Sequence, residues 1–513
     1  MSKDVNLTLR LEEEIWGNRL YDEQSGMVTL LEFLTNCYLY SFKEIEENNN
    51  SRSLNQKNSN SHIVLRALVF SNPFLEICDS WEKWEHRFKE QFKNNQIFPA
   101  NWSSEYLQKA FGSDQDGYRA FVSTIYLIRM SALNADGEKK WDGKFVFPWG
   151  KNCLFSDFDY PASVKAGTLT RKRHYFAHNG DMVYLLLSYS AKRDEAISLI
   201  REKFLDSSHI MERVCNVLDS ADQYNVPLHL VSNGMLPSEK SSRKIVSKRA
   251  DLLCEDLISL MRLDIQSTDL VNPMARIIGL HLMCYQFERI SDLKEEFDFG
   301  FLCEVLKVPT CSVRKVSQAN FQRNSKVSLS VLGEQLSQRI ALAKLECDDF
   351  KSKQARFKAN IPLTNYKDTD SLLEAEEIEL LTQTLFDKLE SKHKKHLGKF
   401  HLGMGRSIGL ISKEKTRGYR YLPDDHLIQA IVMASVSSKF IDVKDFLREI
   451  FQKYHLIFAE EEFNDSSLSK FHSPEKSELE KNRTRLLNQL QSLGMLKHLS
   501  DGCDFVVNPF VSE

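Results

Sequence analysis

Residues 473–494, SPEKSELEKNRTRLLNQLQSLG, followed by residues 495–510, MLKHLSDGCDFVVNPF, decide how the chain is read. Ser473 can cap a helix, Pro474 suits its first position, and Gly494 stops it. Leu479, Leu486, Leu487, Leu490 and Leu493 recur at helical spacing and give the helix one apolar stripe. Beyond it, two short apolar runs flank Asp501–Gly502, a pairing that favours a β-hairpin. Two more amphipathic helices precede this segment. Residues 424–436 (DDHLIQAIVMASV) point Leu427, Ile431 and Ala434 inward, and residues 442–454 (DVKDFLREIFQKY) align Val443, Phe446, Leu447 and Ile450.

Three helices followed by a hairpin, over residues 422–510, resemble a winged helix. In a DNA-binding member the third helix enters the major groove and the hairpin touches the backbone. Its outward side chains here would be Lys476, Lys481, Arg483, Arg485 and Gln489. Glu475, Glu478 and Glu480 lie on the same helix and would repel phosphate, so a protein-docking role stays open beside DNA contact.

Immediately upstream, residues 397–421 read as a basic, Gly-rich connector. Lys399, Arg406, Lys413, Lys415, Arg417 and Arg420 crowd together there, opposed only by Glu414. Gly398, Gly403, Gly405, Gly409 and Gly418 suggest a backbone open to close approach. Mobile cations in such a strap suit phosphate, and Tyr419 and Tyr421 could stack on bases. The competing reading is a solvated loop paired with the acidic residues 374–379.

The rest of the chain reads as helical. With 513 residues, several domains are expected. We place an N-terminal helical domain at 1–160, a central helical domain at 161–396, the connector at 397–421 and the winged-helix-like domain at 422–513. Residues 46–61 (EENNNSRSLNQKNSNS) carry too little apolar surface to offset their ordering entropy and read as a disordered loop. Helices are expected at 79–95, 117–133, 192–205, 208–221, 241–263, 273–290 (Asn272 capping, Pro273 first), 325–358 and 371–396. Residues 168–176 read as extended, with a turn at 179–180 and a helix from 181. Only 12 Pro and 20 Gly accord with long helices rather than turn-rich sheet. The fold class is therefore mainly α, multi-domain, with the C-terminal module.

Charged residues at 27% and hydrophobic ones at 42% are the balance of a folded protein, and a net charge of −3 excludes neither nucleic acid nor protein partners. Ten scattered cysteines contain no C-x-x-C pair and read as reduced, buried thiols. The N-terminus lacks an apolar signal region, and no run approaches the ~20 residues of a membrane span. A cytoplasmic location without membrane attachment is expected.

No catalytic signature emerges. Gly403-Met-Gly405-Arg-Ser-Ile-Gly409 has one residue too many for a dinucleotide fingerprint, and GEKKWDGK at 137–144 has the wrong spacing for a P-loop. Asp136, Glu138 and Lys140 suggest a nuclease triad, but they occupy a turn rather than adjacent strands. His174 and His178 lack the neighbouring Glu of a helical zinc site, and His393 and His396 are hemmed by lysines. No cofactor or metal is expected.

The runs LPDDHLIQAIV (422–432), VKDFLREIFQKYHLIF (443–458), NRTRLLNQLQSLGMLKHLSDGCDFVVNPF (482–510) and RHYFAHNGDMVYLLLSYS (173–190) are similar to large bacterial proteins of anti-phage defence loci. Among them the chain looks like a non-catalytic component of a methylation-associated, multi-gene system. That resemblance implies partner proteins from the same system and specifies no active site. The expectation is an accessory subunit that binds double-stranded DNA or docks onto a DNA-acting complex. A protein-only scaffold and a cryptic nuclease with a dispersed site are the alternatives.

Overall fold

The computed structural model describes residues 12, 15–17, 20, 25–42, 45–48, 51–54, 57–61, 158–159, 170–171, 179–205, 226–230, 235–237, 240–294, 296–345, 397–413, 418–499 and 503–511. The expected helices at 79–95, 117–133, 208–221 and 371–396 lie outside them, as does the acidic run 374–379.

The described part is mostly helical: α1 Gly26–Leu39, α2 Asn179–Leu187, α3 Arg193–Leu205, α4 Lys240–Met261, α5 Ser267–Leu293, α6 Ser312–Leu345, α7 Leu397–Ser407, α8 Asp425–Ser435, α9 Val443–Tyr454, α10 Glu460–Asp465 and α11 Lys476–Ser492. Strands are short: β1 Ile45–Asn48, β2 Ser51–Leu54, β3 Lys57–Ser61, β4 Phe158–Asp159, β5 Thr170–Arg171, β6 Val226–Leu230, β7 Met235–Pro237, β8 Phe301–Leu302, β9 Ile411–Lys413, β10 Tyr419–Tyr421, β11 Phe440–Asp442, β12 Leu456–Ile457, β13 Leu496–His498 and β14 Asp504–Val507.

At the centre stands α5. Seventeen of its residues are buried, from Leu270 to Ile290, so it is covered on nearly every side. Helices α1, α4, α7 and α8 pack around it. Gly279 makes the closest approach possible: a Cβ there would lie 2.5 Å from Ile408 and 2.9 Å from the Met404 sulfur. The expected start at Pro273 is too late. The helix begins at Ser267 with Pro273 inside it, and Asn272 instead accepts a bond from Arg276 Nε at 2.9 Å. Helix α6 likewise begins at Ser312, well before the expected residue 325.

Three expectations meet a different arrangement. The described residues of 46–61, read as disordered, lie in β1, β2 and β3; β1 pairs with β2, β2 with β7 and β3 with β6. Backbone pairing with distant strands supplies what the polar composition lacks. The turn expected at 179–180 is the first turn of α2, where Gly180 N–H donates to Glu32 at 2.8 Å. The tail is no separate body: residues of α8, α9 and α11 belong to the same continuous core as α4 and α5.

Within that tail the elements run α8, β11, α9, α11, β13, β14, with β12 and α10 inserted after α9. The sheet order is β11-β14-β13, all antiparallel. Asp424 and Asp442 cap α8 and α9 by accepting from Leu427 and Lys444 N–H, each at 2.8 Å. Strand β12 leaves this sheet to pair with β8 in parallel, stitching the tail to residues 301–302.

Candidate nucleic-acid interface

The described residues of the expected cationic connector, 397–413 and 418–421, are built elements. Leu397–Ser407 forms α7, and β9 and β10 form an antiparallel ribbon. Two of its glycines, Gly405 and Gly409, serve close packing rather than openness. At Gly405 a Cβ would stand 2.2 Å from Ile411 Cδ1, and Gly409, at φ +83°, would drive one to 2.2 Å from Asp424 Oδ2. Arg276 seals this corner by donating to Ile408 O at 2.5 Å and Asp424 Oδ1 at 2.9 Å.

The connector's candidate residues divide. Arg420 is buried and donates through Nε to Glu304 at 2.6 Å, so it is withdrawn from any phosphate. Tyr421 is buried too, its hydroxyl between His401 and Asn324. Tyr419 is half-buried, with the Lys413 ammonium 5.3 Å from its ring centroid. Lys399, Arg406 and Lys413 are exposed, while Lys415 and Arg417 lie outside the described residues.

Buried His401 belongs to a fully directed chain. Asn324 donates to the Tyr421 hydroxyl at 2.9 Å, and Tyr421 therefore gives its proton to His401 Nε2 at 2.9 Å. Ser325 donates to Phe321 O at 2.8 Å and so accepts from His401 Nδ1–H at 3.2 Å. Burial drives the imidazole down to about 3.

Helix α11 is where the candidate cations become available. Lys476 pairs with Glu460 at 2.7 Å and Arg483 with Glu480 at 3.1 Å. Lys481 and Arg485 are exposed and make no ion pair among the described residues. They share an exposed, carboxylate-free face with Thr484, Asn488, Gln491 and Ser492. From Lys481 to Ser492 that face extends ~16 Å at the helical rise. Of the glutamates that would repel phosphate, Glu480 pairs with Arg483 and Glu478 is bonded to Ser312, whereas Glu475 is exposed. Glu478 accepts from both the N–H and the hydroxyl of Ser312, and that hydroxyl holds its carboxyl below the usual range. Glu475 N–H donates to the same Ser312 oxygen at 2.9 Å, and the helix starts at Lys476 rather than at the expected Pro474.

A buried asparagine fixes the face outward. Asn482 accepts from Val305 N–H and donates to Cys303 O and Phe458 O, each at 2.9 Å. Nothing in the local sequence marks it, because its partners are remote or masked by a polar helix surface.

A second polar cluster, also unread in the sequence, locks α9 to α4 and α5. Asp256 accepts from Lys453 Nζ at 2.7 Å, from His281 Nε2 at 2.7 Å and from the Tyr454 hydroxyl. Arg249 donates to Lys453 O at 2.8 Å, to His281 Nδ1 at 3.1 Å and to Glu288. An arginine can only donate, so His281 carries its proton on Nε2 and is neutral. Burial lowers its affinity for a second proton further. Burial pushes Asp256 up, but Lys453 and His281 outweigh it and hold the carboxyl at about 2. Every group is turned toward another protein group, which makes this an interlock between helices.

Among the described residues no group of three His, Cys, Asp or Glu is arranged to hold a metal ion, and no helix is long and apolar enough to cross a membrane. No protein family, curated protein or solved structure matches this chain.

Proposed function

We propose that this protein is an accessory DNA-binding subunit whose C-terminal elements act as a winged helix, with α11 entering the major groove and the β13–β14 hairpin as the wing. The order helix, strand, helix, helix, strand, strand, with the first strand beside the last, supports that reading. The observation that carries it is the α11 face. Lys481 and Arg485 can meet phosphate or guanine, and Asn488 and Gln491 can pair with adenine edges. Lys399, Arg406 and Lys413 would add backbone contacts from the neighbouring elements. The resemblance to anti-phage defence proteins supplies the proposed setting, a bacterial multi-gene system.

Retention of the full chain by duplex DNA across a salt series tests this. The Lys481→Gln, Arg485→Gln double variant should bind more weakly and flatten the slope of log affinity against log salt by about 2. Wild-type protein that ignores duplex DNA at low salt would end the proposal. The protein-only scaffold reading draws on the pairing of Lys476, Arg483 and Arg420 with the chain's own carboxylates. Co-purification with neighbouring gene products, free of nucleic acid, would favour it.

A further inference from the structure

The three-stranded sheet of the tail has two faces of opposite character. Ile441, Val506 and Leu496 stand in register across β11, β14 and β13, and they face the core, where Val506 is fully buried. The alternate positions face outward: Phe440, Asp442, Phe505, Val507 and Lys497. Phe440 is 59% exposed, the second most exposed of the large hydrophobic side chains among the described residues. Its ring meets Phe505 edge to face, with centroids 5.6 Å apart. Lys497 stands directly across from Phe505, and exposed Lys439 precedes Phe440. Among the described residues of these strands the one carboxylate on this face is Asp442, which caps α9. The outward surface is thus aromatic, with the Lys497 ammonium beside the rings.

A protein partner would need apolar area wider than two rings, whereas a nucleobase needs one exposed ring face with a cation near its phosphate. We infer that Phe440 and Phe505, with Lys497 beside them, form a stacking platform for an unpaired nucleotide of a single strand. This surface is the outer face of the sheet rather than the α11 face, although its Lys497 and Phe505 belong to the hairpin read above as the wing. A duplex bound at α11 and an unpaired base at the sheet would together select DNA ends, bubbles or junctions.

Fluorescein-labelled oligo(dT) and a blunt duplex, each titrated with the full chain, separate the two surfaces. Phe440→Ser, a change at an exposed edge position, should keep the wild-type circular dichroism melt and weaken oligo(dT) binding roughly tenfold, the loss of about one stacked base. Duplex binding should change little. Phe440→Trp should bind oligo(dT) with quenched indole fluorescence. The Lys481→Gln, Arg485→Gln variant should retain oligo(dT). Equal oligo(dT) binding by wild type and Phe440→Ser overturns the platform, as does an unquenched Trp at saturation. A shift from dimer to monomer in Phe440→Ser by sedimentation also overturns it, because the face would then be covered by a second copy. Loss of both ligands in the α11 variant overturns the separateness of the two surfaces.

Discussion

Acid should loosen this protein through His401, and the size of the effect follows from the bonds around the ring. The neutral imidazole already has both nitrogens satisfied, so a second proton on Nε2 would confront the proton that Tyr421 donates there. Its folded-state affinity for that proton falls from the ordinary 6.5 to about 3. A histidine depressed in the folded state stabilises the protein fully above about pH 6.5, and that contribution is lost as pH falls toward 3. The unfolded chain takes up one proton that the folded chain refuses, which costs about 1.4 kcal/mol per pH unit. From this group alone the loss is roughly 1 kcal/mol at pH 5.5 and about 3 kcal/mol by pH 4.5. His281, lowered by burial, acts in the same direction. Asp256 and Glu288, both held at about 2, keep their contribution above about pH 4.5 and lose it only as pH falls toward 2. Glu304, Glu449 and Glu462, raised by burial, act in the opposite direction, so the histidine contribution is read as the difference between wild type and a His401 variant. Urea unfolding followed by far-ultraviolet circular dichroism, from about pH 7.5 down to about 4.5, reads the slope. His401→Gln can still accept from Tyr421 and donate to Ser325 without titrating. It should reduce the pH dependence by one proton. An unchanged slope in that variant would refute the assignment of the neutral ring.

Two further substitutions test the joints that orient the tail. Gly409→Ala forces a left-handed residue and a Cβ into Asp424 and Arg276, so it should cost about 2–3 kcal/mol and lower the melting midpoint; an unchanged melt would mean that the corner is slack. Asn482→Leu orphans Val305 N–H and the carbonyls of Cys303 and Phe458, a loss of roughly 3 kcal/mol or more. Faster amide hydrogen exchange confined to α11 and residues 303–305 should accompany it, and uniform exchange across the molecule would contradict the local role.

The three C-terminal helices were legible because their information is local. Apolar residues at 3.6-residue spacing are enough to define α8 and α9, and Asp501–Gly502 between apolar runs is enough to suggest the hairpin. The connector was not legible, since a glycine that opens a loop and a glycine that admits Ile411 Cδ1 are the same letter. Arg420 shows the same limit: its fate depends on Glu304, 116 positions away, and no local rule separates it from exposed Lys413.

Sequence alone determined the helical character of the described residues, the bounds of α8 and α9 to within a residue, and which side of α11 is apolar. Tertiary structure decided which cations remain available, because ion pairing is settled by whichever carboxylates the fold brings within about 4 Å. It also joined the tail to the central helices. Burying α8 and α9 against α4 and α5 removes apolar surface from water that an isolated module would expose.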